Sequence, residues 1–170
     1  EGLSSGEIDL AVGFMPGLGK QWHQHKLFDE QFIYLMRRRH PDYARTLTLA
    51  QVRRLRPMVA SPPGTEHAAA VEKILAGPRV RATIALRVSS FLCLGPIVAS
   101  TYFVAPVPSN LAAEVAGHLE LRTCTPPVRF PGFEVCLYWH SRFHQDPANR
   151  WLRAGFSELF RGSFPWSSNA

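Results

Sequence analysis

The stretch Phe133–Arg153, FEVCLYWHSRFHQDPANRWLR, constrains the fold more than any other part of the sequence. It opens on an apolar, β-rich run from Phe133 to Trp139 that reads as a buried strand. A polar turn with His140, Arg142 and His144 follows, and then Asp146-Pro147. Aspartate suits a helix cap and proline the first helical position. From Ala148 to Arg161, apolar groups recur at helical spacing (Trp151, Leu152, Phe156, Leu159, Phe160), which predicts an amphipathic helix ending near Gly162. The unit is one strand, a polar turn rich in His and Arg, and one helix.

Upstream, the chain alternates strand and helix. Gly6–Gly13, GEIDLAVG, reads as a turn and a short buried strand that stops at Met15-Pro16-Gly17. Lys26–Glu30 leads into the apolar run Phe32–Met36, a strand ending at Arg39-His40-Pro41, where proline forces an extended residue before it. Thr48 is placed to cap a helix, Met58–Ala60 makes a short strand, and Ser61–Thr65 is a small-residue loop feeding a helix from Glu66 to Ala76. Val80–Val88 reads as a strand. Ser89-Ser90 caps a helix from Phe91 to Ala99, broken or tightened at Gly95-Pro96. A strand over Thr101–Val107, a helix from Ser109 to Leu119 with Ala112, Val115, Ala116 and Leu119 inward, and a strand over Leu121–Thr125 complete the series. Such alternation predicts α/β lobes with mostly parallel sheets.

These segments, in this order, resemble the effector-binding domain of LysR-type transcriptional regulators. The resemblance lies in GEIDLAVG, the passage from Leu27 to His40-Pro41, the strand and helix around Ser90-Phe91, and Trp139-His140 followed by Asp146-Pro147-x-Asn149-x-Trp151-Leu152-Arg153. It points to the branch responding to aromatic acids and nodulation signals. The resemblance implies a two-lobed, type 2 periplasmic-binding-protein-like α/β fold with two hinge crossovers, near Phe32–Met36 and Phe133–Tyr138. The first lobe would be residues 1–33 (partial), the second 34–134, with 135–170 returning to the first. In the family a strand, a helix and a strand, and before them a winged helix-turn-helix, precede the matching segment. The chain is therefore expected to be a fragment whose first lobe is incomplete at the N-terminus.

The resemblance further implies a small effector, expected to be an aromatic carboxylate, bound between the lobes. It also implies a cytoplasmic homodimer or homotetramer that reaches DNA only through the missing N-terminal domain, with no cofactor, no membrane association and no enzymatic activity. A solute-binding protein serving a transporter shares the fold and is the alternative.

Charge bears on that reading. The formal net charge is +6, with a pI near 9.7, which invites a nucleic-acid partner. Yet Arg37–Arg39 sit at a strand end, Arg53, Arg54 and Arg56 around a helix end, and the rest are scattered. No zinc finger, helix-turn-helix or aromatic–basic interleaving accompanies them. A solvated basic surface is the plain reading, and attraction of an anionic small ligand the alternative. The three cysteines, Cys93, Cys124 and Cys136, lack a disulfide spacing and read as buried free thiols suited to a reducing compartment.

Candidate site residues follow from α/β physics, because ligands lie at the carboxyl ends of strands where loops and helix N-termini converge. That rule selects Phe14 and Met15, the loop from Ser61 to Thr65, and Ser89 to Phe91; the hinge adds Met36 and Tyr138. By resemblance, Ser90 and Phe91 align with effector-touching positions of the second lobe, and so do Thr65 and His67. A phenyl ring would pack on an apolar effector while hydroxyls orient its carboxylate. The plainer readings are an ordinary turn at Ser61–Thr65, a surface position for His67, and core packing for Phe14, Met15 and Phe91. His23-x-His25 and His140-x₃-His144 are the enzyme-like patterns, but no Glu completes a zinc-protease motif. A solvated or capping His pair is the reading preferred at the second, and Gly-x-Ser-x-Gly is absent.

Overall fold

The computed structural model describes residues 2–61 and 67–161. The chain divides into two compact units: residues up to Glu30 with those from Phe133 onward, and Gln31–Gly132.

In the first unit, β8 (Phe133–His140) is the central strand, between β1 (Ala11–Gly13) and β2 (Trp22–Glu30), antiparallel to both. Its run of four buried residues, Cys136–Trp139, is the core of this unit. β2 pairs with β8 from Trp22↔His140 to Glu30↔Phe133, with a bulge between Lys26 and Phe28. Its polar sequence, WHQHKLFDE, conceals a nine-residue strand because only half of it is covered. α6 (Pro147–Leu159) starts as the sequence predicts: Asp146 accepts from the Asn149 amide at 2.8 Å, and Pro147 takes the first turn. The Asn149 side chain is buried and donates to the Asp9 carbonyl at 3.0 Å, tying α6 to the segment before β1. α1 (Gly2–Ser5) is a single turn. Gly6 follows it at φ +90, where a Cβ would also come 3.0 Å from the Phe143 ring.

In the second unit, β3 (Phe32–Arg37) lies between β6 (Ala105–Pro108) and β7 (Leu121–Cys124), antiparallel to both. β4 (Met58–Ala60) and β5 (Leu86–Val88) form a separate parallel pair. Helices α2 (Leu49–Arg54), α3 (His67–Ala76), α4 (Leu94–Ser100) and α5 (Ser109–His118) complete it. Thr48 closes a reciprocal capping box with Gln51 at the head of α2. The core gathers Leu35, Met58, Leu94, Val98, Val107 and their neighbours, with Val115, Ala116 and Leu119 of the expected α5 stripe packed against it. Gly95 packs closely here, since a Cβ would stand 3.1 Å from the Leu119 side chain, which would have to shift.

Several expectations are corrected. The sheets are not mostly parallel: among the described strands only β4 and β5 pair in parallel. β6 and β7, joined by α5, do run the same way, but β3 is inserted antiparallel between them, a split βαβ arrangement. The chain passes between units at Glu30–Gln31 and Gly132–Phe133, so Phe32–Met36 is a second-unit strand and β8's long partner is β2. The strand at GEIDLAVG is three residues long and only half-covered. Of Val80–Val88 only Leu86–Val88 is strand; Arg81 sits at φ +54 in a turn that donates to the end of α3. The strand read over Thr101–Val107 begins at Ala105; its two prolines are tolerated because β6 is an edge. The break near α4 precedes Gly95, as a one-turn 3₁₀ segment at Phe91–Cys93. Cys124 and Cys136 are buried thiols, and burial pushes Cys124 up to about 11, but Cys93 is exposed. On α6, Leu152 and Phe156 are half-buried whereas Trp151 and Leu159 are exposed.

Leu94→Ala is expected to cost about 2–5 kcal/mol through the cavity it leaves, and Asp146→Ala about 1 kcal/mol through the lost cap. Urea unfolding followed by circular dichroism checks both.

Candidate functional site

Parallel pairing of β4 and β5 puts their carboxyl ends side by side, with Ala60 opposite Val88. Ser61 and Ser89-Ser90 are the residues that follow those ends. The Ser61 amide donates to the Val88 carbonyl at 2.7 Å. Its hydroxyl donates to Glu72 Oε1 at 3.3 Å. Glu72, on α3, in turn accepts a two-point hydrogen bond from Arg87 on β5, at 3.0 and 2.9 Å. The Arg87 guanidinium holds the Glu72 carboxyl below its ordinary value, and Ser61 adds to that effect. Both Ser61 donors are thus engaged inside the protein, next to an ionised carboxylate.

Ser90 is placed differently. Its Oγ accepts from the Leu92 amide at 3.2 Å and caps the 3₁₀ turn. A hydroxyl in that role keeps its O–H for another acceptor. Phe91 is half-buried against the core cluster, 6.4 Å from the Phe32 ring, so it packs as well as presents a face. Thr65 lies outside the described residues, and His67 is described only as the first residue of α3.

In the first unit, Phe14 and Met15 follow β1. The Phe14 ring lies 5.6 Å from that of Phe133. The Met15 amide donates to the Tyr138 hydroxyl at 3.2 Å, and burial raises the Tyr138 pKa. Met36 belongs to the second unit, fully buried with the Cys124 thiol 4.0 Å from its sulfur, which makes it a packing residue.

His23, His140 and His144 resolve into packing and capping, whereas His25 is exposed. His144 Nδ1 accepts from Trp139 Nε1 at 3.1 Å, and its ring stacks on His23 with centroids 4.2 Å apart. Arg153 lies 4.4 Å over the Trp139 ring and donates to the His144 carbonyl. Burial, then His23, Arg153 and Arg150, lower the His144 pKa. His140 caps the short turn after β8 by accepting from the Arg142 amide. Among the described residues no three His, Cys, Asp or Glu side chains gather as metal ligands, and no helix is long and apolar enough to cross a membrane. Sequence reading missed the Ser61–Glu72–Arg87 network and the Trp139–His144–Arg153 stack. The first joins residues on three elements; for the second, only the aromatic content of the turn gave a sign.

A two-unit α/β chain with these strand-end loops belongs to a known class. Residues 1–161 match the LysR substrate binding domain, and the chain belongs to that family. It is 32% identical over 160 residues to the HTH-type transcriptional activator NagR of Ralstonia sp, covering 94% of this chain and 53% of that protein. It is 31% identical to the HTH-type transcriptional activator NahR of Pseudomonas putida, with the same coverage. The HTH-type transcriptional regulator SyrM of Rhizobium meliloti is 32% identical over 89% of this chain and 46% of its own length. The chain thus spans about half the length of the curated relatives it matches. Among solved structures, the regulatory domain of MexT, a transcriptional activator in Pseudomonas aeruginosa, superposes with a TM-score of 0.72 at 27% identity, over 94% of this chain and 76% of that one. The effector binding domain of QuiR in complex with shikimate shares the fold, with a TM-score of 0.73 at 14% identity, over 96% and 77%.

The lowered pKa values of His144 and Glu72 both predict loss of stability in acid. His144 has a lowered folded pKa, so the unfolded chain binds its proton first, and stability falls as pH drops from its ordinary value of 6.5 to the folded one. Glu72 also has a lowered folded pKa, so its contribution is present above 4.5 and is lost as pH falls through the folded value. As a largely exposed pair, Glu72–Arg87 contributes less than about 1 kcal/mol. Melting temperatures against pH should show both steps, the upper one missing in His144→Gln and the lower one in Glu72→Gln.

Proposed function

We propose that this chain is the effector-binding domain of a LysR-type transcriptional regulator, and that its effector is a small carboxylate, most simply an aromatic one. The observation that carries the reading is the pair of serine-bearing strand ends, Ser61 and Ser89-Ser90, side by side in a chain of this family. The QuiR domain with shikimate supports the ligand class, since shikimate is a small ring carboxylate. Ser90 donates to the carboxylate and Phe91 packs on the ring. Thr65, His67, Phe14 and Met15 supply further contacts, and Ser61 borders the ligand without donating to it.

Effector binding shifts the population of two arrangements of a homodimer or homotetramer, and that shift controls a winged helix-turn-helix outside these residues. The protein works in the cytoplasm and is not an enzyme. Its relatives are transcription regulators, so a transport role is not favoured.

The test is a thermal-shift screen of the chain against aromatic and aliphatic carboxylates. At ~100 times Kd a ligand stabilises by roughly 2.7 kcal/mol, a readily measured shift. An aromatic acid should raise the melting temperature, and Ser90→Ala should weaken it about tenfold, near 1.4 kcal/mol. Phe91→Ala should weaken it too, while lowering the stability of the free chain. A flat screen, or hits indifferent to Ser90, would overturn the assignment.

A further inference from the structure

The basic residues that look scattered along the sequence are gathered by the fold. Residues 31–132 hold 13 Lys and Arg against 5 Asp and Glu, formally +8, whereas the remainder hold 6 against 8, formally −2, together the chain's +6. Within the second unit the charge collects at the Arg37 end of β3. Arg122 on β7 pairs there with Met36 and lies 5.0 Å over the Tyr43 ring. Arg37 lies 5.0 Å over Tyr102. The loop carrying Tyr43 also carries Asp42, which pairs with Arg54 of α2. The neighbouring Arg53 donates through Nε to the Val80 carbonyl and through Nη2 to that of Arg79, both at 2.9 Å, fastening α2 to the turn that carries Arg79 and Arg81. Arg56 lies 5.6 Å over Phe103, the residue after Tyr102. Two carboxylates interrupt this surface among the described residues, Asp42 on Arg54 and Glu120 on Arg38. Arg45 and Arg122 make no side-chain hydrogen bond or ion pair with described residues, and both are exposed.

We infer that this arginine-rich end of the second unit is a contact surface for the phosphate backbone of duplex DNA. Every cation named in it is a guanidinium, whose planar fork matches phosphate oxygens better than an ammonium does. Contact with the rings of Tyr102, Phe103 and Tyr43 holds three of the guanidinium groups, which lowers the cost of ordering them on a repeating anion. No grouping of these residues reads a base edge, so the contact adds affinity without sequence preference. The inference rests on the regulator reading only for DNA being at hand.

The test is fluorescence anisotropy of a labelled duplex of roughly 30 base pairs titrated with the chain from ~50 mM salt upward. The expected result is binding that weakens steeply with salt. Arg45→Gln/Arg79→Gln/Arg122→Gln should flatten the slope of log affinity against log salt by about 0.9 per lost phosphate contact, near 2.7 for three. The control Lys20→Gln/Arg142→Gln/Arg150→Gln removes the same charge from the first unit and should leave the slope as it was. Circular dichroism melts establish that both triple variants are folded. No salt-sensitive association at low salt would overturn the inference, as would equal losses in the two variants. Poly-L-glutamate bound as tightly as DNA, with the same variant dependence, would overturn it in favour of an acidic protein partner. The effector-induced melting shift, measured on the same variants, fails or survives separately.

Discussion

The antiparallel pairing of β2 with β8 is the constraint from which the architecture follows. Its last pair, Glu30 with Phe133, sets the point where the chain leaves the first unit beside the point where it returns. Everything between, Gln31 to Gly132, is therefore a closed excursion that must bury its own core. It does so around β3, whose first residues pair with the end of β6 and whose last residues pair with the start of β7. The Ser109 amide donating to the Gln31 carbonyl fastens the root of that excursion. Shifting the β2–β8 register by one residue would exchange the faces on which Cys136 with Tyr138 and Leu137 with Trp139 are buried, and would move the last pair away from Glu30 and Phe133.

What was legible in the sequence was local. Asp146-Pro147 and Thr48-x-x-Gln51 are complete capping signals within four residues, and both form as read. The apolar runs Phe32–Met36 and Phe133–Trp139 are strands because their length and β-branched or aromatic content leave little choice. Direction and partnership were not legible. Alternation of strand and helix marks the β6–α5–β7 crossover correctly, yet nothing in it says that β3 will be inserted between the two strands. Val80 and Ala82 are apolar and buried, but Ala82 donates to the Leu75 carbonyl at the end of α3, so a strand-like pattern serves a turn. β2 was hidden for the opposite reason, being exposed enough for polar residues at most positions.

The same limit governs the candidate site. Ser61 and Ser90 were both selectable, because each follows an apolar run and precedes a helix. Their different chemistry was not, since it depends on Glu72 eleven residues after Ser61 and Arg87 on another strand. Once Glu72 takes the Ser61 hydroxyl, an anion approaching Ser61 meets a carboxylate that only Arg87 offsets. At Ser90 no carboxylate accepts the hydroxyl proton among the described residues. The electrostatics favour Ser90 as the donor to an anionic guest, and leave Ser61 to hold α3 against β4.

Charge placement extends the argument across the second unit. β4, Met58–Ala60, separates Pro57, beside the arginine-rich surface, from Ser61 at the end proposed to face the effector. Clustered like charges on that surface repel one another, and the two exposed ion pairs, Arg54–Asp42 and Arg38–Glu120, return little of that cost. The first unit, at −2, could have held some of that positive excess at lower electrostatic cost. An anionic surface brought against that end would relieve the repulsion and release counterions as it docked. An effector held at Ser90, as proposed, would act on the same short strand pair from its other end. Coupling between the two would need only a change in how β4 and β5 pair, through the Ser61 amide on the Val88 carbonyl.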